Sequence, residues 1–185
     1  MAIERFFLDK EETILVVVDI QERLTAAMEM REKVITNTLH LLEAARVFSL
    51  PLVLTEQYPK GLGPTVQEIR TVLPSYQPIE KVTFSCCNVQ NFMDSVASSG
   101  RRKVILTGIE THVCVLQTCL GLVREGYIPH VVGDAVCSRS KENHEMGLAF
   151  MRDAGAVITC TETVLFQILE KAGTEEFKVL SRRIK

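Results

Sequence analysis

Residues 14–20 form an apolar run interrupted only by Asp19, with charged residues on both sides of it. A run of that kind reads as a strand buried on both faces, as in parallel sheets. Val34, Thr38, Leu41, Ala45 and Phe48 follow at spacings of four and three, which puts them on one helix face. Residues 51–56 read as a second strand, opening at a proline where a missing N–H is tolerated. The Gly- and Pro-rich stretch 58–64 is loop by composition. A short helix to Leu73 and a short strand over 78–82 come next. Asn88 is placed to cap a helix with Val89, Phe92, Met93 and Val96 inward, ended by Gly100. Strands over 103–108, 127–132 and 156–160 follow, separated by a helix over 113–123 and another starting near Ser140. The first of these helices is apolar on two sides, through Val113, Leu116 and Leu120 on one and Val115, Cys119 and Leu122 on the other. It should be covered on both, one of them by a partner subunit. Two short helices broken at Gly173 end the chain. Thr174 caps the second, with Glu175 and Glu176 in its first turn and Arg182, Arg183 and Lys185 in its last, where a basic tail suits the helix dipole.

Strands alternating with helices imply βαβ units and right-handed crossovers. The expected fold is α/β: one three-layer α/β/α domain over 1–185, with a six-stranded parallel sheet of Rossmann-like topology. A length of 185 residues agrees with one domain. The charge balance, 21 − 23 = −2, removes the broad basic surface that nucleic-acid binding needs. No apolar run approaches the roughly 18 residues of a membrane span, and residues 1–13 carry four acids instead of an apolar leader. Six cysteines are too few for a disulfide scaffold and read as free thiols, so a cytoplasmic protein is expected.

In an open parallel sheet, ligands gather outside the carboxyl ends of the strands. Three reactive side chains fall there: Asp19 after the first strand, Lys81 at the end of the third, and Cys114 at the start of a helix. Each has a plainer reading, Asp19 as a helix cap, Lys81 as a solvent-facing lysine, Cys114 as a small buried hydrophobe. Their coincidence on one edge is what points to chemistry, since a cysteine in a helix's first turn has its thiolate stabilised by free N–H groups. His112 lies two residues before Cys114. Of the other cysteines, Cys160 falls in a strand, Cys119 on an apolar helix face and Cys137 in the loop after its strand. Cys86 and Cys87 are adjacent, poorly spaced for a bridge. No glycine fingerprint follows the first strand, no Gly-Lys-Ser/Thr occurs, and neither Cys-x-x-Cys nor a second histidine near His144-Glu145 is present. Neither a cofactor nor a metal is expected.

Gly108-Ile109-Glu110-Thr111-His112-Val113-Cys114-Val115 resembles the nucleophile turn of the isochorismatase-like cysteine hydrolases, Gly-x-x-Thr-x-x-Cys-Val. Val18-Asp19-Ile20-Gln21, Lys81-Val82-Thr83-Phe84-Ser85 and Ser138-Arg139 stand around it in the family's order, and the likeness runs from about Thr13 to Leu169. The segment from Thr55 to Gly63 is similar to the small isochorismatase domain-containing hydrolases. The resemblance implies a catalytic triad of Asp19, Lys81 and Cys114. It also implies a cis peptide between Ile109 and Glu110, with the N–H groups of Glu110 and Cys114 forming an oxyanion hole. Asp19 would take the thiol proton, and Lys81 would favour both the carboxylate and a resting thiolate. Cys114 would attack a small amide, ester or related carbonyl substrate, giving a covalent thioester. Phe84, His112, Gln57 and Leu24 would line the substrate pocket.

Two departures narrow the substrate. The nicotinamidase branch holds a metal with Asp-x-His and a further His, and residues 55–78 contain neither His nor Asp. The isochorismate-cleaving branch typically lacks the cysteine, which this chain has. Two other readings stand beside a hydrolase. One is a catalytically weak homo-oligomeric scaffold. The other is thiol redox sensing through Cys114 and Cys119, whose five-residue spacing turns the side chains apart on a helix.

Overall fold

The computed structural model describes residues 3–182, so Arg183 and Lys185 of the expected basic tail lie outside the described residues. The main elements are β1 (Thr13–Val18), α1 (Arg31–Phe48), β2 (Leu52–Gln57), β3 (Ile79–Lys81), α2 (Gln90–Ser98), β4 (Lys103–Ile109), α3 (Leu116–Arg124), β5 (Ile128–Cys137), α4 (Lys141–Asp153), β6 (Val157–Thr159), α5 (Thr161–Leu169) and α6 (Glu175–Ser181). The six strands pair in the order β3-β2-β1-β4-β5-β6, and every pairing is parallel. The α/β fold with a six-stranded parallel sheet is therefore the one read from the apolar pattern.

β1 shows why its sequence is apolar without alternation. Leu15 and Val17 enter one core with Leu41 and Ala45 of α1 and Val164 of α5. Ile14, Val16 and Val18 enter another with Phe92 of α2, Leu122 of α3 and Met151 of α4. A strand buried on both faces leaves no position for a polar residue until the strand ends. It ends where the site begins. Asp19 turns to φ +52°, and its N–H still donates to the carbonyl of Thr55 at 3.2 Å. Beside it, Gly108 has φ +131°, and a Cβ there would collide with the Val18 carbonyl, so glycine lets β4 lie against the end of β1.

Two local expectations change. β5 runs on to Cys137, which lies opposite Ile109; Gly133-Asp134-Ala135 looks like a turn but stays in the sheet through a register shift between Leu106 and Gly108. The Thr107 hydroxyl donates to the Ala135 carbonyl at 2.5 Å across that irregularity. Cys86–Asn88 forms a 3₁₀ turn, and α2 begins only after Val89. Ser140 and Thr174 do cap α4 and α6, accepting from the N–H groups of Asn143 and Phe177. Among the described residues no helix is long and apolar enough to cross a membrane.

Candidate active site

The sheet order places β2 between β1 and β3, so the ends of β1 and β3 are two strand spacings apart, about 10 Å. An aspartate and an extended lysine bridge that gap. Lys81 Nζ lies 2.6 Å from Asp19 Oδ2, and both side chains are fully buried. The ammonium also donates to Gln57 Oε1 at 2.7 Å and, at 3.3 Å each, to the carbonyls of Thr83 and Phe84. Thr55 Oγ1 donates to the other aspartate oxygen, Oδ1, at 2.7 Å. The Cys114 thiol completes the group, close enough to the same carboxylate to interact with it. A carboxylate, an ammonium and a thiol thus meet at the carboxyl edge of the sheet.

Burial dominates the electrostatics. It raises Asp19 above the ordinary carboxylate range, against the opposing pull of Lys81, Thr55 and Cys114. Burial would lower Lys81, but the charge and hydrogen bond of Asp19, together with Cys86 and Cys114, outweigh it and keep the amine protonated. Burial, reinforced by the neighbouring Asp19 charge and only partly opposed by Lys81, pushes the Cys114 thiol up to about 12. Against the expected resting thiolate, burial favours the protonated thiol, beside a carboxylate of raised basicity. Its backbone setting differs too, because Thr111–Val115 is a π turn that precedes α3.

The Ile109–Glu110 peptide is cis. The Glu110 N–H makes no hydrogen bond among the described residues, whereas its carbonyl accepts from Val113 at 3.1 Å and Val115 at 3.2 Å. Side chains of the next residues tie the turn to the start of α4. Arg139 donates to Glu110 Oε2 from its backbone N–H (3.1 Å) and its Nε (3.0 Å). Thr111 Oγ1 is 3.0 Å from His144 Nδ1, and His112 Nδ1 is 2.9 Å from Ser138 Oγ.

The four residues expected on the pocket wall are distributed unevenly. Phe84 is exposed, beside the carbonyl that holds Lys81. His112 stands two residues from the thiol, fixed by Ser138. Gln57 is buried, with both ends of its amide engaged by Lys81 and the Val82 carbonyl, so it acts on the lysine instead of facing a ligand. Leu24 packs against the core on the α1 side, whereas Cys114 belongs to the opposite core. Sequence reasoning missed Thr55 and the role of Gln57, although two polar residues on alternate positions of a buried strand are the signal. It also passed over Cys86, whose buried thiol lies 3.8 Å from Thr55 Oγ1. Among the described residues no three His, Cys, Asp or Glu side chains are grouped to hold a metal ion.

Known proteins share this arrangement of chain. The isochorismatase domain family matches residues 13–163. The secreted isochorismatase effector Isc1 of Phytophthora sojae is 41% identical over 177 residues, 94% of this chain and 84% of its own. Among solved structures, the MAR1 ribonuclease of Caenorhabditis elegans superposes with a TM-score of 0.89 at 36% identity, covering 96% of this chain and 92% of its own. YcaC of Pseudomonas aeruginosa, solved with hexane-2,5-diol and covalent acrylamide, gives 0.90 at 26% identity, covering 96% and 91%. YcaC of Escherichia coli, described as an octameric hydrolase of unknown specificity, gives 0.90 at 25% identity, covering 96% and 90%.

Proposed function

The chain belongs to the isochorismatase family of hydrolases, and within it we propose a metal-independent cysteine hydrolase acting on a small amide, ester or related carbonyl compound. The observation that carries this reading is the convergence of Asp19, Lys81 and Cys114 in one buried contact. As Cys114 Sγ attacks the carbonyl carbon, its proton passes to Asp19, whose raised basicity suits that task. Lys81 keeps its charge throughout and offsets the negative charge that moves from carboxylate to sulfur. The N–H groups of Glu110 and Cys114 receive the oxyanion. The Asp19 proton then leaves with the amine or alcohol, and water, activated by the same carboxylate, hydrolyses the thioester. The neighbour that holds covalent acrylamide supports this reading, because thiols are the side chains that add readily to such a reagent.

We carry over an assembly of identical subunits, on the octameric neighbour and on the half-buried Leu116 and Leu120 of α3. RNA is not carried over from the ribonuclease neighbour, since a net charge of −2 gives no overall positive excess to draw a phosphate backbone. The free thiols of the described residues fit a reducing compartment, the cytoplasm. The test is intact-mass analysis after incubation with a mixed amide and ester library. An acyl adduct on the wild type that is lost in Cys114→Ala is the expected result; an adduct retained by that variant, or placed on Cys86 or Cys137, refutes the assignment.

A further inference from the structure

Thr55 and Gln57 stand two residues apart on β2, so both side chains project from one face, between the ends of β1 and β3. They divide the charged pair between them. Thr55 donates to Oδ1 of Asp19, the oxygen that Lys81 does not hold, at 2.7 Å. Gln57 presents Oε1 to the ammonium at 2.7 Å, and that orientation is set from behind, because its Nε2 donates to the Val82 carbonyl at 2.9 Å. Its backbone is clamped in turn: Gln57 N–H donates to Gln21 Oε1 at 2.7 Å, and Gln21 Nε2 donates to the Gln57 carbonyl at 3.0 Å. Asp19, Gln21, Thr55, Gln57 and Lys81 are all buried, where a hydrogen bond to a charge keeps most of its strength.

We propose that Thr55 and Gln57 are the positioning residues of the reaction, Thr55 holding the Asp19 carboxylate ionised and aimed at the thiol, Gln57 holding the Lys81 ammonium in place against it. The proposal rests on the reading of Cys114 as nucleophile. Neither residue touches the sulfur; each acts through one member of the charged pair. They differ in what they control. Removing the donor to Asp19 disfavours its charged form, which raises its pKa and moves upward the pH below which it is protonated and cannot accept the thiol proton. Removing the acceptor from Lys81 frees the ammonium and lowers the rate even where Asp19 is fully ionised. The titratable groups facing Asp19 are Lys81 from β3, Cys114 from the turn after β4, and Cys86 from the turn before α2. Cys86 donates to the Thr55 hydroxyl at 3.8 Å, so its contribution passes largely through Thr55.

The experiment is the rate of Cys114 alkylation by iodoacetamide, followed by peptide mass from pH 4 to 9 in the full chain. Thr55→Val should move the acid limb up by about one pH unit, and Thr55→Ser, which keeps the hydroxyl, should leave it near the wild type. Gln57→Met should lower the plateau about tenfold, and Gln57→Glu, which restores an acceptor at the same reach, should recover part of it. Cys86→Ala should move the limb by less than half the Thr55→Val shift. A limb unmoved in Thr55→Val, a Thr55→Ser variant shifted as far as Thr55→Val, a Cys86→Ala variant shifted equally, or a Gln57→Glu plateau no higher than that of Gln57→Met overturns the proposal. A wild type in which Cys114 is not alkylated overturns the nucleophile reading and this proposal with it; a reactive wild type with unchanged variants overturns this proposal alone.

Discussion

Two lysine–carboxylate contacts of the same length sit at opposite ends of the sheet. At the carboxyl edge, Lys81 meets Asp19 at 2.6 Å with neither side chain exposed. At the amino edge, Lys103 at the start of β4 meets Asp9 at 2.6 Å and Glu12 at 3.0 Å, and the two acids are 34% and 62% exposed. Burial pushes both aspartates up. In Asp9 it is outweighed by Lys103 and by the N–H groups of Glu12 and Glu11, so the carboxyl falls below its ordinary range. In Asp19 burial wins and the carboxyl rises. Equal distances therefore give opposite directions. What marks the carboxyl edge as chemical is complete desolvation with a thiol on the same carboxylate, and bond length says nothing of it.

The largest effects should follow from breaking the buried pair. Asp19→Asn removes the proton acceptor and should slow acylation of Cys114 by about 10³-fold. Lys81→Met should cost a comparable factor and, in addition, about 3–5 kcal/mol of stability at neutral pH, because it strands a buried carboxylate. Burst kinetics and urea denaturation measure the two. Asp9→Asn, the counterpart at the amino edge, should change acylation by less than about twofold, since it reaches none of the groups around the sulfur. Equal losses at both edges would erase the distinction drawn between them.

The parallel strands were legible because burial on both faces leaves unbroken apolar runs, and Asp19, Lys81 and Cys114 stood out as reactive groups at strand ends. β5 was read short, since Gly133 and Asp134 carry turn chemistry that the contact between Thr107 and Ala135 overrides. Thr55 and Gln57 were harder to see. A polar residue inside a buried strand declares that it has a partner without saying which, and theirs come from β1 and β3, 36 and 24 residues away. The protonation of Cys114 was misjudged for a related reason. Residue types name the charges near a sulfur, but the degree of burial decides whether they prevail.

A second feature of the amino edge sharpens the contrast. His130, in the first half of β5, is 1% exposed, and its Nε2 has no hydrogen-bond partner among the described residues. Burial, with added repulsion from Lys103 and Arg5 against one bond to the Arg5 backbone, pushes it down to about 4. A histidine depressed on folding binds its proton more readily in the unfolded chain. Its effect on stability is therefore absent above about pH 6.5 and grows as pH falls from there towards 4, to a loss of about 3 kcal/mol. Unfolding free energies from urea denaturation at pH 7.5 and pH 4.5 should differ by more in the wild type than in His130→Leu, by about 2–3 kcal/mol. A pH dependence unchanged in His130→Leu would move the acid sensitivity to other groups.

A small effect on stability is expected of Lys103→Met. Asp9 stays bonded to the N–H groups of Glu11 at 3.0 Å and Glu12 at 2.7 Å, so the variant leaves that carboxylate with partners. Both acids also keep access to water, which takes up most of the lost attraction. The loss should be no more than about 1 kcal/mol near neutral pH, and it should shrink in 1 M salt as ions screen the exposed pair. The acylation defect of Lys81→Met should be indifferent to the same salt, because no ion reaches a pair from which water is excluded. A salt response shared by both variants would mean that the carboxyl-edge pair opens to solvent, and the raised basicity assigned to Asp19 would fall with its burial.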